Sequence, residues 1–139
     1  FPSGFYDVSM RIDSLKTLKK LKNNQDLPTI AFGDFNVNSK EDNKYNIYES
    51  QQDTWEVAHI NGCENCKGSF FYNYGKSWDF LDSIFVSKKD SLSFKSNSIN
   101  IHRTNFNSYS DTGKPIKFNA YIKKGVSDHL PMVAVIELY

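Results

Sequence analysis

Residues 78–87 read Trp-Asp-Phe-Leu-Asp-Ser-Ile-Phe-Val-Ser, and this run decides what kind of fold the chain can take. It has the length and β-branched, aromatic character of a strand. Its alternation puts Trp78, Phe80, Asp82, Ile84 and Val86 on one face and Asp79, Leu81, Ser83 and Phe85 on the other. Asp82 is the anomaly, because its pleat neighbours are large and apolar and the pattern sends a carboxylate toward the core. An ionised carboxylate left unpaired there costs several kcal/mol, so it needs a histidine, a basic side chain, a metal ion or backbone amides as partner.

Working outward, Gly68–Tyr74 reads as a second strand joined to the first across Gly75-Lys76-Ser77. Upstream, Leu27–Phe32 is an apolar run of strand length, closed by Gly33-Asp34-Phe35-Asn36. A helix is expected over 7–21, with Val8, Ile12, Leu15, Leu18 and Leu21 as its apolar face. Lys16, Lys19, Lys20 and Lys22 form its solvated side. Ser39 is expected to cap a second helix over 40–50. Residues 53–60 read as irregular structure followed by a strand, and 98–103 alternates with Ile99 and Ile101 together. The stretch 104–124 is polar and long for a loop in a compact domain. Residues 131–138 are apolar on both faces, as in a central strand. The expected class is α+β (mixed α/β), one mixed sheet with two or more helices.

The 139 residues and 16.0 kDa amount to one domain. Hydrophobic residues at 39% and charged residues at 24% suit a packed globular chain and exclude a disordered or coiled-coil one. Lys+Arg 17 against Asp+Glu 16 leaves +1, so net charge directs the chain neither to nucleic acid nor to an anionic membrane. No apolar run reaches the roughly 18–20 residues of a membrane span.

Three polar segments carry the candidate chemistry. Asp34 and Asn36 lie just past the carboxyl end of a strand, where α/β sheets place ligands, although such a segment taken alone is more often merely an Asx turn. Ser127-Asp128-His129 precedes Leu130-Pro131, and a turn there lets Asp128 and His129 flank one site. Together Asp34, Asn36, Asp82, Asp128 and His129 supply hard oxygen donors and one imidazole. That set suits Mg²⁺-assisted hydrolysis of a phosphate ester. No serine sits in a nucleophile elbow and no Gly-rich phosphate loop is present.

Gly-Asp-Phe-Asn at 33–36, Leu-Asp-Ser-Ile-Phe-Val-Ser at 81–87 and Ser-Asp-His-Leu-Pro at 127–131 stand in the order of a known family. The chain resembles the endonuclease/exonuclease/phosphatase superfamily, the fold of pancreatic-type deoxyribonuclease and abasic-site endonucleases. Phe1-Pro2-Ser3 followed by Arg11 is similar to the end of a further family segment. The resemblance implies that Asp34 positions or deprotonates the attacking water and Asn36 holds a phosphoryl oxygen. Asp128 would bind or orient Mg²⁺, with Mn²⁺ as a substitute. His129 would hydrogen-bond the phosphate, and Asp82 would fix its tautomer. The implied architecture is a four-layer α/β/β/α sandwich, of which residues 1–139 would be the C-terminal half, a single partial domain. The family's early Asn, its metal-binding Glu and its His before Pro-Ser have no counterpart here. Glu41, Glu49, Glu56, Glu64 and Glu137 all stand elsewhere. The uncovered inner sheet face then calls for the missing N-terminal half or a second copy of the chain.

The implied function is metal-dependent phosphoester hydrolysis, a nuclease or other phosphodiesterase acting on nucleic acid or another phosphate ester. Phosphomonoester, inositol phosphate and lipid headgroup substrates remain alternatives. A different class of reading is a non-catalytic interaction half. Cys63 and Cys66 form a Cys-x-x-Cys pair that reads as a disulfide, free thiols or, with His59, part of a zinc site. A disulfide would favour a periplasmic or secreted protein. Lys114, Lys117, Lys123 and Lys124, interleaved with Tyr109, Phe118 and Tyr121, form a basic, aromatic loop beside 127–129 that could grip a nucleic-acid strand, could equally hold an inositol phosphate or lipid headgroup, or is an ordinary solvated loop.

Overall fold

The computed structural model describes residues 1–63 and 66–139. Its first element is helix α1, Val8–Asn23. Asp7 caps it by accepting a hydrogen bond from the Ser9 amide at 2.8 Å. Leu15 is fully buried, with Val8, Ile12 and Leu18 packed beside it. Two positions depart from the helical-wheel expectation. Leu21 stands exposed, whereas Lys22 is buried and ion-paired with Asp90 at 3.0 Å. Lys19 likewise reaches Asp53, so part of the basic face is spent on internal pairs.

Strand β1 (Ile30–Asp34) follows, then the short helix α2 (Ser39–Tyr45). Asn38, not Ser39, is the cap of α2, accepting from the Glu41 amide at 3.0 Å. Ser39 instead gives its hydroxyl to the buried Asp79. The helix stops at Asn46, which takes a left-handed φ of 49°, and a 3₁₀ turn (Glu49–Gln51) replaces the rest of the expected helix. Strand β2 (Trp55–Val57) and the single-turn α3 (Ala58–Asn61) come next.

The decisive run 78–87 is two strands rather than one. β3 (Phe70–Tyr72) pairs with β4 (Ser77–Asp79), while β5 (Asp82–Ser87) is the centre of an antiparallel β1–β5–β2 sheet. The break falls at Phe80 and Leu81. The Phe80 ring stacks on His59 at 4.7 Å, and the Leu81 carbonyl accepts from the Phe35 amide at 2.7 Å. These contacts hold the chain as it leaves one ladder and enters the other. The main core lies on the Phe85 side of β5, where Ser83, Phe85 and Ser87 are buried, although the far end of the other face is covered too, since Val86 is fully buried. Asp82 lies on the opposite face with Ile84, in line with the exposed Ile30 and Phe32 of β1.

β6 (Leu92–Phe94), β7 (Asn100–Ile101), β8 (Met132–Val133) and β9 (Ile136–Leu138) complete the fold as two-stranded β6–β9 and β7–β8 ladders. The class is α+β. The sequence pattern suggests a mixed sheet, but all the named pairings among the described residues are antiparallel. The apolar C-terminal run is therefore not a central strand: Val133, Val135 and Leu138 are exposed.

The core lies between the β1–β5–β2 sheet and the helical layer. Trp55, Val57, Phe85 and Leu15 are completely buried there, with Phe35, Val37, Ile47 and Tyr48 almost so. Phe35 stacks on Phe85 with ring centroids 4.6 Å apart and planes 6° from parallel. Each such side chain contributes about 1.5–3 kcal/mol of burial. This is also what fixes the position of β1, because Phe35 anchors the residue immediately after Asp34.

Candidate active site

Antiparallel pairing sets Asp34 directly opposite Asp82 at the end of the β1–β5 ladder. Register partners project to the same side, so two carboxylates meet where the strands end. Beyond Asp34, buried Phe35 pulls the backbone inward and Asn36 adopts φ 54°. Asparagine tolerates that left-handed conformation better than most residues. The turn is held by Asp34 itself: Oδ1 accepts from the Asn36 amide at 2.8 Å and Oδ2 from Asn36 Nδ2 at 3.1 Å. Asp34 and Asn36 thus form an Asx turn, and that turn presents both side chains beside Asp82.

Asp82 finds its partner in His129, whose Nδ1 lies 2.6 Å from Oδ2. An ionised carboxylate only accepts, so Nδ1 carries the proton and Nε2 is left to act on a ligand. Buried Ser69 ties the two segments together. Its hydroxyl accepts from the Asp82 amide at 3.1 Å, and its carbonyl accepts from the Leu130 amide at 2.7 Å. Gly68 makes that approach feasible, since a Cβ there would fall 2.6 Å from the Asp79 carbonyl oxygen. Ser127 Oγ accepts from the His129 amide at 3.1 Å, and the Phe70 ring lies 5.0 Å from the imidazole.

The hydrogen bond that His129 donates to Asp82 raises its pKa above 6.5, opposed by burial and helped by the charges of Asp82, Asp34 and Asp128. The sign follows directly. Pairing with Asp82 stabilises the fold fully below the unfolded value and is lost as pH rises through the higher folded value. Asp82→Asn is expected to bring the His129 titration down toward 6.5, read from the imidazole ring-proton shifts by NMR. A titration that stays where it was would mean that Asp82 does not set the charge of the ring.

Asp128 is half-exposed, with its Oδ2 3.4 Å from Lys117 Nζ. Gly125, with φ 78°, lets the chain cross Ile116 and Lys117 just upstream, where a Cβ would lie within 2.4 Å of both carbonyl oxygens. Among the described residues, no three His, Cys, Asp or Glu side chains form a ready-made metal nest. One accessible carboxylate does suit Mg²⁺, which is commonly held by one or two carboxylates, with phosphate oxygens and water completing the shell.

The structure therefore gathers Asp34, Asn36, Asp82 and His129, with Asp128 adjacent to His129 in the chain. The zinc reading fails. Cys63 and Cys66 are joined to each other as a disulfide with Cα atoms 5.4 Å apart. His59 sits against Tyr48 and Phe80, its Nδ1 3.1 Å from Ser83 Oγ, and burial holds its pKa down to about 4. Of the glutamates set aside as metal ligands, Glu41 pairs with Arg11, and Glu64 lies outside the described residues. Of the loop lysines, Lys114 and Lys117 face a groove next to Asp128, while Lys123 and Lys124 stand exposed. Sequence reasoning missed Ser69 and Phe70. The only signal for them was Gly68, the glycine that allows β3 to approach Asp79.

Comparison with family models finds none that matches this chain, and comparisons with curated proteins and with solved structures find no match either.

Proposed function

We propose that the chain carries one half of the active site of a divalent-metal-dependent phosphodiesterase, with a nuclease as the favoured member of that class. The observation that carries the reading is the 2.6 Å Asp82–His129 pair beside the Asp34–Asn36 turn. A carboxylate-oriented imidazole next to a second carboxylate is an acid–base arrangement suited to attack of water on phosphorus. In this reading Asp34 takes a proton from, or aligns, the attacking water. Asn36 offers its side-chain amide to a phosphoryl oxygen. His129, protonated at both ring nitrogens, donates from Nε2 to another phosphoryl oxygen as charge builds, while Asp82 accepts from Nδ1 and so favours that cation and holds the ring in place. Asp128 would hold Mg²⁺, or Mn²⁺ in its place, and the ion when bound would neutralise phosphate charge and acidify water.

The resemblance to the endonuclease/exonuclease/phosphatase superfamily supports the same assignment and extends it to architecture. The β1–β5–β2 sheet would be part of a four-layer sandwich whose second sheet comes from an N-terminal half or from a second copy. Exposed Ile30 and Phe32 on the sheet face opposite the core support a covering partner. The same exposure favours one competing reading, an interaction half without activity of its own. A disulfide between Cys63 and Cys66 suits a periplasmic or secreted setting. In the described residues no helix is long and apolar enough to cross a membrane.

Nicking of supercoiled plasmid separates the readings. With a second copy of the chain completing the site, Mg²⁺ is expected to support nicking, EDTA to abolish it, and Asp128→Ala to reduce it by tenfold or more. Absence of nicking with either metal would favour the interaction half.

A further inference from the structure

Two hollows flank the site, one on each side of β3. The first, about 430 Å³, is bounded by Phe5, Asn36, Tyr72 and Leu81. The second, about 480 Å³, is bounded by Tyr72, Tyr74, Tyr109, Lys114, Lys117 and Asp128. Phe70 and Tyr72 belong to both, so β3 is the ridge between them. The first hollow touches the Asp34–Asn36 turn and the second ends at Asp128. A group held at the site therefore has room to extend in both directions.

The second hollow has an unusual wall. Tyr74 is 93% exposed and Tyr109 52% exposed. The Tyr72 and Tyr74 rings lie 5.9 Å apart and inclined by 50°. Lys114 is held with Nζ 3.9 Å above the Phe71 ring. Lys117 reaches from the same wall to Asp128. Flat aromatic faces interleaved with cations complement a chain of alternating bases and phosphates. An acyl chain would instead ask for an enclosed aliphatic lining. A duplex keeps its base faces stacked on one another, so it has none to offer these tyrosines.

We infer that the groove beside Asp128 binds an unpaired nucleic-acid strand, with bases stacking on Tyr74 and Tyr109 and phosphates paired with Lys114 and Lys117. This rests on reading the site as a phosphodiesterase, and it narrows the substrate to single-stranded or locally opened nucleic acid. The hollow on the far side of β3 receives the nucleotide across the scissile phosphate.

Fluorescence anisotropy in EDTA tests this without cleavage, using labelled 12-mers of oligo-dT and oligo-U and a 12-base-pair DNA duplex. Either single strand is expected to bind the 139-residue chain at least about tenfold more tightly than the duplex. Tyr74→Ala with Tyr109→Ala is expected to remove about tenfold or more of that affinity. Both tyrosines are exposed, so circular dichroism should be unchanged. Lys114→Ala with Lys117→Ala is expected to flatten the log–log salt dependence by about 0.7 in slope for each phosphate that is no longer neutralised. The dT and U arms tell which sugar is preferred, and preference for either supports the groove. Duplex binding as tight as strand binding, no binding of any probe, or full affinity in the tyrosine variant would overturn it. The plasmid assay keeps the two claims apart. Nicking without strand preference sinks the groove alone, and strand binding without hydrolysis sinks the phosphodiesterase alone.

Discussion

His129→Ala is expected to cut metal-dependent cleavage by roughly 10²–10³-fold while leaving oligonucleotide affinity within about twofold. The size comes from the position of the ring. His129 is fixed by Asp82 at Nδ1, by Ser127 at its amide and by Phe70 along its flank, so Nε2 is aimed before substrate arrives. A donor that needs no reorganisation stabilises developing phosphoryl charge far more than a free one in water. His129→Gln tests whether hydrogen bonding alone suffices, because its amide donates but cannot transfer a proton. Partial activity in His129→Gln with none in His129→Ala would assign the residue to oxyanion stabilisation. Equal loss in both would assign it to proton transfer. Unchanged single-turnover rates in His129→Ala would remove the residue from the chemistry altogether.

The pH profile gives this expectation a second handle. With its pKa raised by the hydrogen bond it donates to Asp82, His129 keeps its second proton to higher pH than an unpaired histidine. Cleavage that uses the cation falls as pH climbs through the raised value. The same limb should move to lower pH in Asp82→Asn. A limb that does not follow the NMR titration would belong to another group.

The site is more legible in the sequence than the fold is, and the reason is physical. Asp34, Asn36, Asp82 and His129 each break a local rule, being polar groups at strand ends or among apolar neighbours, so pattern reading marks them individually. Asp82 shows how far that carries. The alternation correctly demands a partner for its carboxylate, yet it turns that carboxylate toward the main core, which lies on the Phe85 side, because it runs one strand through Phe80 and Leu81. What breaks that strand is the stacking of Phe80 on His59 and the bond from the Phe35 amide to Leu81. Both are contacts between residues 21 or more positions apart, and no local pattern encodes them. The same holds for Lys22, a helix-end lysine like its neighbours until Asp90 is brought beneath it. The cap of α2 is hidden for a related reason. Asn38 and Ser39 are equally good capping residues, and the choice is made by Asp79, which claims the Ser39 hydroxyl from a distant strand.

Arg11→Met is expected to destabilise the chain by about 3–5 kcal/mol, which at this length lowers the melting temperature by on the order of 10–15 °C. Arg11 is completely buried on α1, a rare position for a charge. Its guanidinium donates to the Ser3 carbonyl at 3.0 Å and the Tyr6 carbonyl at 3.1 Å, and it pairs with Glu41 of α2. One side chain therefore ties the N-terminal segment, α1 and α2 together. Removing it strands the Glu41 carboxylate, whose Oε2 is already buried without a hydrogen-bond partner. That orphaned charge accounts for most of the expected loss, because a buried ion pair contributes little net stability while half of one costs a great deal. The double variant Arg11→Met with Glu41→Met separates the two contributions. It is expected to recover most of the lost stability in urea unfolding, since both charges leave together and the space is refilled by methionine. Ser3 and Tyr6 would still lose their donor. Ser3 lines the hollow beside Asn36, so the double variant should fold well and still bind oligonucleotide less tightly than the native chain. If the double variant were as unstable as Arg11→Met, the carbonyl bonds of Arg11 rather than the orphaned glutamate would hold this corner.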